Sequence, residues 1–145
     1  MNVLIDTCVV LDFLQRRKPF DEMALMLFQA AARDEFTGCI TAKSVTDIYY
    51  LTHRCTHSDR ESRAILEQLL DIVSVLDTAA DDVFYAISSE VTDFEDAVMI
   101  ATAIRSEMAC IITRNTKDYM KSSVPVYTPD EFIGLLPNLS RSISK

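Results

Sequence analysis

Four stretches of the sequence carry side chains able to hold a cation or to activate water. Asp6 stands directly behind an apolar run in VLIDTCVVLD, with Thr7 beside it. Asp47 lies in SVTDIYYL, and Asp93, Glu95 and Asp96 crowd into DFEDAVMIATAI. Thr113, Asn115 and Asp118 follow in TRNTKDY. Hard divalent cations such as Mg²⁺ take oxygen ligands and keep several waters, so a few carboxylates are enough to bind one. A cation held in this way generates hydroxide from water and stabilises charge on a phosphodiester.

Each of these residues also has an ordinary use. Asp6 can cap a helix and Asp47 can face solvent, while Asn115 and Asp118 can close a loop. Thr7 and Thr113 can hold water or phosphate, or simply bond within a turn. Asp93 and Glu95 are explained by a first helical turn, where acids suit the dipole and Glu95 forms a capping box with Thr92. Asp96 is harder to explain. It lies one step deeper, on the face continued by Met99, Ile100 and Ala103, in a helix that is apolar nearly all round. A carboxylate at the mouth of a buried helix is costly unless a cation or hydrogen-bond donors meet it.

The elements that must position these side chains alternate in type. NVLI (2–5), GCIT (38–41), VSVL (73–76), CIIT (110–113) and VPVY (124–127) are short, β-rich and apolar on both sides of the alternation. That pattern predicts strands of a parallel sheet covered on both faces. Helical spacing predicts helices near 8–16, 20–34, 42–53, 59–71, 79–90, 93–108 and 129–136. Ser58 with Glu61, Thr92 with Glu95, Thr128 with Glu131 and, more weakly, Thr78 with Asp81 mark their starts. Strands returned by helical crossovers give a three-layer α/β/α sandwich with a central parallel sheet. In such sheets sites form outside the carboxyl ends of the strands, which is where the acids fall.

The 145 residues suit one domain over 1–136, followed by a polar tail, 137–145, expected to fray. A first strand that begins at once predicts neither a leader nor a membrane span, and hence a cytoplasmic protein. The four cysteines show no CxxC spacing, which fits a reducing compartment. A net charge of −8 argues against passive binding of nucleic acid through a basic surface, but not against a substrate approached through bound cations. The basic clusters QRRK and TRNTKDYMK read by default as solvated faces. His53 and His57 have i+4 spacing, but a cap at Ser58 puts His57 in a loop, so a shared zinc site is not expected.

Taken in order, VLIDTCVVLDFL, SVTDIYYL, DFEDAVMIATA and IITRNTKDY followed by VPVYTPDEF resemble the PIN-domain nucleases over nearly the whole chain. The resemblance implies Mg²⁺- or Mn²⁺-dependent cleavage of single-stranded or structured RNA. It further implies small toxins of the VapC type, often homodimeric and inhibited by a partner antitoxin protein. By position it gives Asp6, Asp47 and Asp96 the catalytic, metal-holding role; beside them the residues themselves offer Asp118 as a further metal ligand and Asn115, Asp93, Thr7 and Thr113 as supports. Two positions depart from the family pattern. Asn115 stands where a fourth acid is common, and Cys8 stands where the family often has Asn. These departures leave open an alternative: a catalytically weak or inactive PIN-fold module that binds RNA or protein. An aspartate phosphatase of the DxDxT kind is a poorer fit, because Cys8 replaces the second acid.

Overall fold

The five apolar runs pair into one sheet of order β3-β2-β1-β4-β5, with every neighbouring pair parallel. In this computed structural model the backbone is described for residues 1–143 and the side chains for residues 1–136. The strands are β1 (Asn2–Ile5), β2 (Thr37–Thr41), β3 (Ser74–Leu76), β4 (Cys110–Ile112) and β5 (Val126–Tyr127). The helices are α1 (Thr7–Leu14), α2 (Asp21–Ala32), α3 (Ala42–Thr56), α4 (Asp59–Leu70), α5 (Ala80–Ser88), α6 (Phe94–Arg105) and α7 (Pro129–Ile143). A 3₁₀ turn, Thr116–Tyr119, lies between β4 and β5.

Period-two alternation sends the sheet's side chains into two separate cores. Val3, Ile5, Ile40, Cys110 and Ile112 pack with α1, α2 and α7 on one face. Leu4, Cys39 and Ile111 pack against Met99, Ile100 and Ala103 of α6 on the other. This is the three-layer sandwich the alternating elements imply. Coverage of both faces holds for β1, β2 and β4 but not for β3, an edge strand whose Val75 is exposed.

Two helix starts and one helix end differ from expectation. Ser58 caps α4 as expected, accepting from the Glu61 N–H at 3.2 Å. At α6 the cap is Asp93 rather than Thr92, and its carboxylate accepts from the Asp96 N–H at 3.0 Å. At α5 the cap position is Ala79, whose N–H is satisfied by Asp82 at 2.9 Å, so the pair Thr78 and Asp81 is out of register by one residue. The third difference concerns the end of α7. Its backbone stays helical to Ile143 across the expected tail, where Leu135, Leu136, Leu139 and Ile143 keep helical spacing despite Pro137. The last two residues of that tail lie outside the described residues. Among the described residues no helix is long and apolar enough to cross a membrane.

The chain has only 2 Gly, so its left-handed turns after helices fall on other residues. Arg16, Asp34, His57 and Glu107 all have φ between 50° and 57°. Such a conformation costs an L-residue about 1–2 kcal/mol, partly offset by the looser unfolded chain when glycine replaces it. His57→Gly and Glu107→Gly are therefore each expected to stabilise the fold by roughly 0.5–1 kcal/mol. Urea denaturation with an unchanged m-value would check this.

Candidate active site

The connections leaving β1 and β4 run in opposite directions across the sheet, one toward β2 and the other toward β5. Neighbouring strands that diverge in this way open a crevice at their carboxyl ends. Asp6 follows β1 and Thr113 follows β4, so the sequence itself delivers both to that crevice. The Asp6 N–H donates to the Ile112 carbonyl at 2.9 Å, and the Thr113 hydroxyl donates to Asp6 Oδ2 at 2.8 Å. Asp6 occupies the N-cap of α1 but makes no side-chain cap bond, so its carboxylate is left to the crevice.

Cys8, in the place of the family's Asn, still donates to Asp6. Its Sγ lies 3.5 Å from Asp6 Oδ2 and 3.9 Å from Thr113 Oγ1. Burial, helped by the Asp6 charge, pushes this thiol up to about 11, so it stays protonated and a donor at neutral pH.

Asp96 enters from α6. Its Oδ1 accepts from the Tyr119 hydroxyl at 3.0 Å. Desolvation raises the Asp96 carboxyl to about 6; the Tyr119 bond opposes this, and the charges of Asp93, Asp6 and Asp118 add to it. Tyr119 is 1% exposed, and burial raises its hydroxyl far above the usual range, so it too remains a donor. Asp6 and Asp96 therefore share one arrangement: a buried hydroxyl pins one oxygen of each and leaves the other free for a ligand.

The remaining candidates are placed less uniformly. Asp93 caps α6, and Asp118 is exposed in the 3₁₀ turn, with both contributing negative field at Asp96. Asn115 is exposed, and its backbone N–H donates to Thr113 Oγ1 at 3.0 Å. Thr7 Oγ1 is buried and has no hydrogen-bond partner. Asp47 is not joined to the acid pair by any bond. Its Oδ2 lies 2.6 Å from Lys43 Nζ, which also reaches Glu95 at 3.1 Å. Thr7, Asp47 and Glu95 nevertheless line one cavity of about 320 Å³ beside the crevice.

Among the described residues, no three His, Cys, Asp or Glu side chains lie close enough to hold a metal together. The donor set nonetheless suits Mg²⁺, which is commonly bound by one or two carboxylates with the rest of its shell water. Asp6 and Asp96 each present a free oxygen, and the Thr7 hydroxyl next to Asp6 in the chain lacks a partner.

Three participants escaped the sequence reading. Tyr119 was legible only as the end of TRNTKDY, and Lys43 as an i+4 partner of Asp47. Arg114, read as part of a solvated basic cluster, instead pairs with Asp12, whose side chain is 1% exposed, at 2.7 Å. It also stacks over Phe20 at 3.9 Å.

A family model described as the PIN domain matches residues 2–117. No curated protein matches the chain. Among solved structures it is similar to a toxin-antitoxin complex from Klebsiella pneumoniae, 22% identical with a TM-score of 0.65, covering 88% of this chain and 97% of that one. It is also similar to FitAcB from Neisseria gonorrhoeae, at 20% identity and TM-score 0.62, over 88% of this chain and 97% of that one. A third is VapBC2 from Rickettsia felis bound to a DNA fragment from their promoter, at 14% identity and TM-score 0.63, over 88% and 98%. At such identities the likeness is one of fold. With the family model spanning the sheet from β1 through β4 and on to Lys117, the chain belongs to the PIN-domain family.

Proposed function

We propose that the protein is a metal-dependent ribonuclease that hydrolyses RNA phosphodiester bonds, acting as the toxin of a toxin–antitoxin pair. One observation carries this reading. Asp6 and Asp96 converge at the divergence of β1 and β4, each pinned through one oxygen by a buried hydroxyl, with burial raising the Asp96 carboxyl. Family membership and the toxin–antitoxin complexes among the structural neighbours support it.

Asp6 and Asp96 would hold Mg²⁺ or Mn²⁺, with Asp118 and Asp93 adding negative field and Asp47 standing at the rim. When bound, the cation supplies Lewis-acid activation of water and neutralises charge on the phosphodiester. The chain's own residues prepare that chemistry. Thr113 and Cys8 orient Asp6, and Tyr119 orients Asp96.

Calorimetric titration of Mn²⁺ into the purified protein tests the reading, run beside an RNA cleavage assay. Binding and cleavage are both expected, and Asp6→Asn should lose both while retaining its circular dichroism spectrum. A folded Asp6→Asn variant that still cleaves would refute the assignment. A second reading, a binding module without catalysis, is favoured by the Lys43 ammonium on Asp47. It predicts RNA binding that is equal with and without Mn²⁺, and no cleavage.

A further inference from the structure

Beside the acid pair lies a surface of which the metal chemistry uses only Thr7 and Asp47. The cavity of about 320 Å³ is lined by Thr7, Asp47, Tyr50, Leu51, Arg54 and Glu95. Thr7 is the chain neighbour of Asp6 and Glu95 that of Asp96, and consecutive Cα atoms lie about 3.8 Å apart. The cavity therefore lies beside the backbone that carries both acids. We propose that it seats one unpaired nucleotide of an RNA substrate next to the scissile phosphate, with the base on Tyr50 and a phosphate on Arg54. The inference rests on the ribonuclease reading and adds to it a nucleotide subsite on α3, built from Tyr50 and Arg54.

Tyr50 is 66% exposed, so its ring is open to a ligand. The ring is also braced. Tyr49 meets it edge-on at 5.5 Å, and Tyr49 is in turn stacked on His53 at 5.9 Å and hydrogen-bonded to Asp59. A ring held in this way loses little freedom when a base stacks on it. Arg54 follows Tyr50 by one helical turn, so its guanidinium shares the same face of α3, and it too is exposed. An aromatic platform beside a cation is the usual composition of a single-strand binding groove.

The acids of the cavity decide how the nucleotide is oriented. Asp47 and Glu95 each give one oxygen to Lys43, which leaves two carboxylates against one ammonium. A phosphate is repelled from that end, whereas the amino edge of a base can donate to it. The base therefore occupies the wall of Tyr50, Asp47 and Glu95, and the phosphate lies toward Arg54.

The test uses a single-stranded octaribonucleotide carrying one 2-aminopurine, titrated in EDTA so that no cleavage occurs. Wild type and Tyr50→Phe are expected to quench the fluorophore with equal affinity. Tyr50→Leu should bind about tenfold more weakly with the quenching lost, the scale of one base stacked on one ring. Arg54→Gln should bind more weakly and with a shallower salt dependence. Both positions are exposed, so circular dichroism should be unchanged. Tyr50→Leu binding and quenching like wild type would overturn the subsite. Asp96-dependent cleavage by a wild type that never quenches the probe would also overturn it, leaving the ribonuclease reading intact and returning this face to protein contacts. Absence of both binding and cleavage would remove the ribonuclease reading and the subsite with it.

Discussion

Replacing Asp96 by asparagine is expected to make the metal-free protein more stable at neutral pH and to abolish Mn²⁺-dependent cleavage. Both effects have one cause. Burial, with the charges of Asp93, Asp6 and Asp118 adding to it, lifts the Asp96 carboxyl from 3.8 to about 6. Between those values the folded chain keeps a proton that the unfolded chain has released, so stability falls as pH rises through that window and stays low above it. Asparagine never ionises, and its amide oxygen can still accept from Tyr119. Allowing for water that reaches the partly exposed carboxyl, the gain at pH 7 is on the order of 1–2 kcal/mol, or roughly 3–8 °C in melting temperature. The gain should vanish near pH 4, where wild type is itself protonated. Loss of an anionic group that holds the cation should lower the cleavage rate by about a thousandfold. Thermal melts from pH 4 to 8 in EDTA, with cleavage measured at pH 7, check both halves. A variant less stable than wild type at pH 7 would show that the Asp96 charge is already compensated in the free protein.

That trade was partly visible in the sequence, and the visible part shows what local pattern can reveal. The apolar surround of α6 marked Asp96 as costly, and the end of β1 marked Asp6, because both signals lie within a few residues. The cap of α6 falls one position after Thr92 because Thr92 and Asp93 are comparable caps, and it is Asp93 that takes the extended cap backbone with its carboxylate on the Asp96 N–H. The partners are another matter. Tyr119 reaches Asp96 across 23 residues and Thr113 reaches Asp6 across 107, through a sheet order that strand patterns do not specify. Lys43 on Asp47 was within reach of the i+4 rule, yet its second bond, to Glu95, depends on α3 and α6 meeting at the crevice. Acids announce themselves by their local cost, while the groups that satisfy them are supplied by topology.

The largest loss of stability is expected from Arg114→Met. Asp12 sits on α1 among Val9, Val10 and Leu11 with its side chain 1% exposed, and the Arg114 guanidinium, 2.7 Å away, is its counter-charge. Burial raises the Asp12 carboxyl, and Arg114 is the strongest influence opposing that rise. Removing the guanidinium strands a buried carboxylate, which typically costs about 3–5 kcal/mol, and the lost stacking on Phe20 adds to it. The dependence on pH distinguishes this from a simple packing defect. Without Arg114 the Asp12 carboxyl rises further, so acid neutralises it and the deficit of the variant should shrink as pH falls toward that raised value. The double variant Asp12→Leu, Arg114→Met should recover most of the loss, since an apolar pair of similar volume needs no counter-charge. Activity adds a second readout. Arg114 lies between Thr113, which donates to Asp6, and Asn115, whose N–H donates back to Thr113. The pair with Asp12 therefore ties α1 to the end of β4 across the crevice that holds Asp6. If the double variant refolds yet cleaves poorly, the ion pair positions the site; if it cleaves like wild type, the pair serves only the fold.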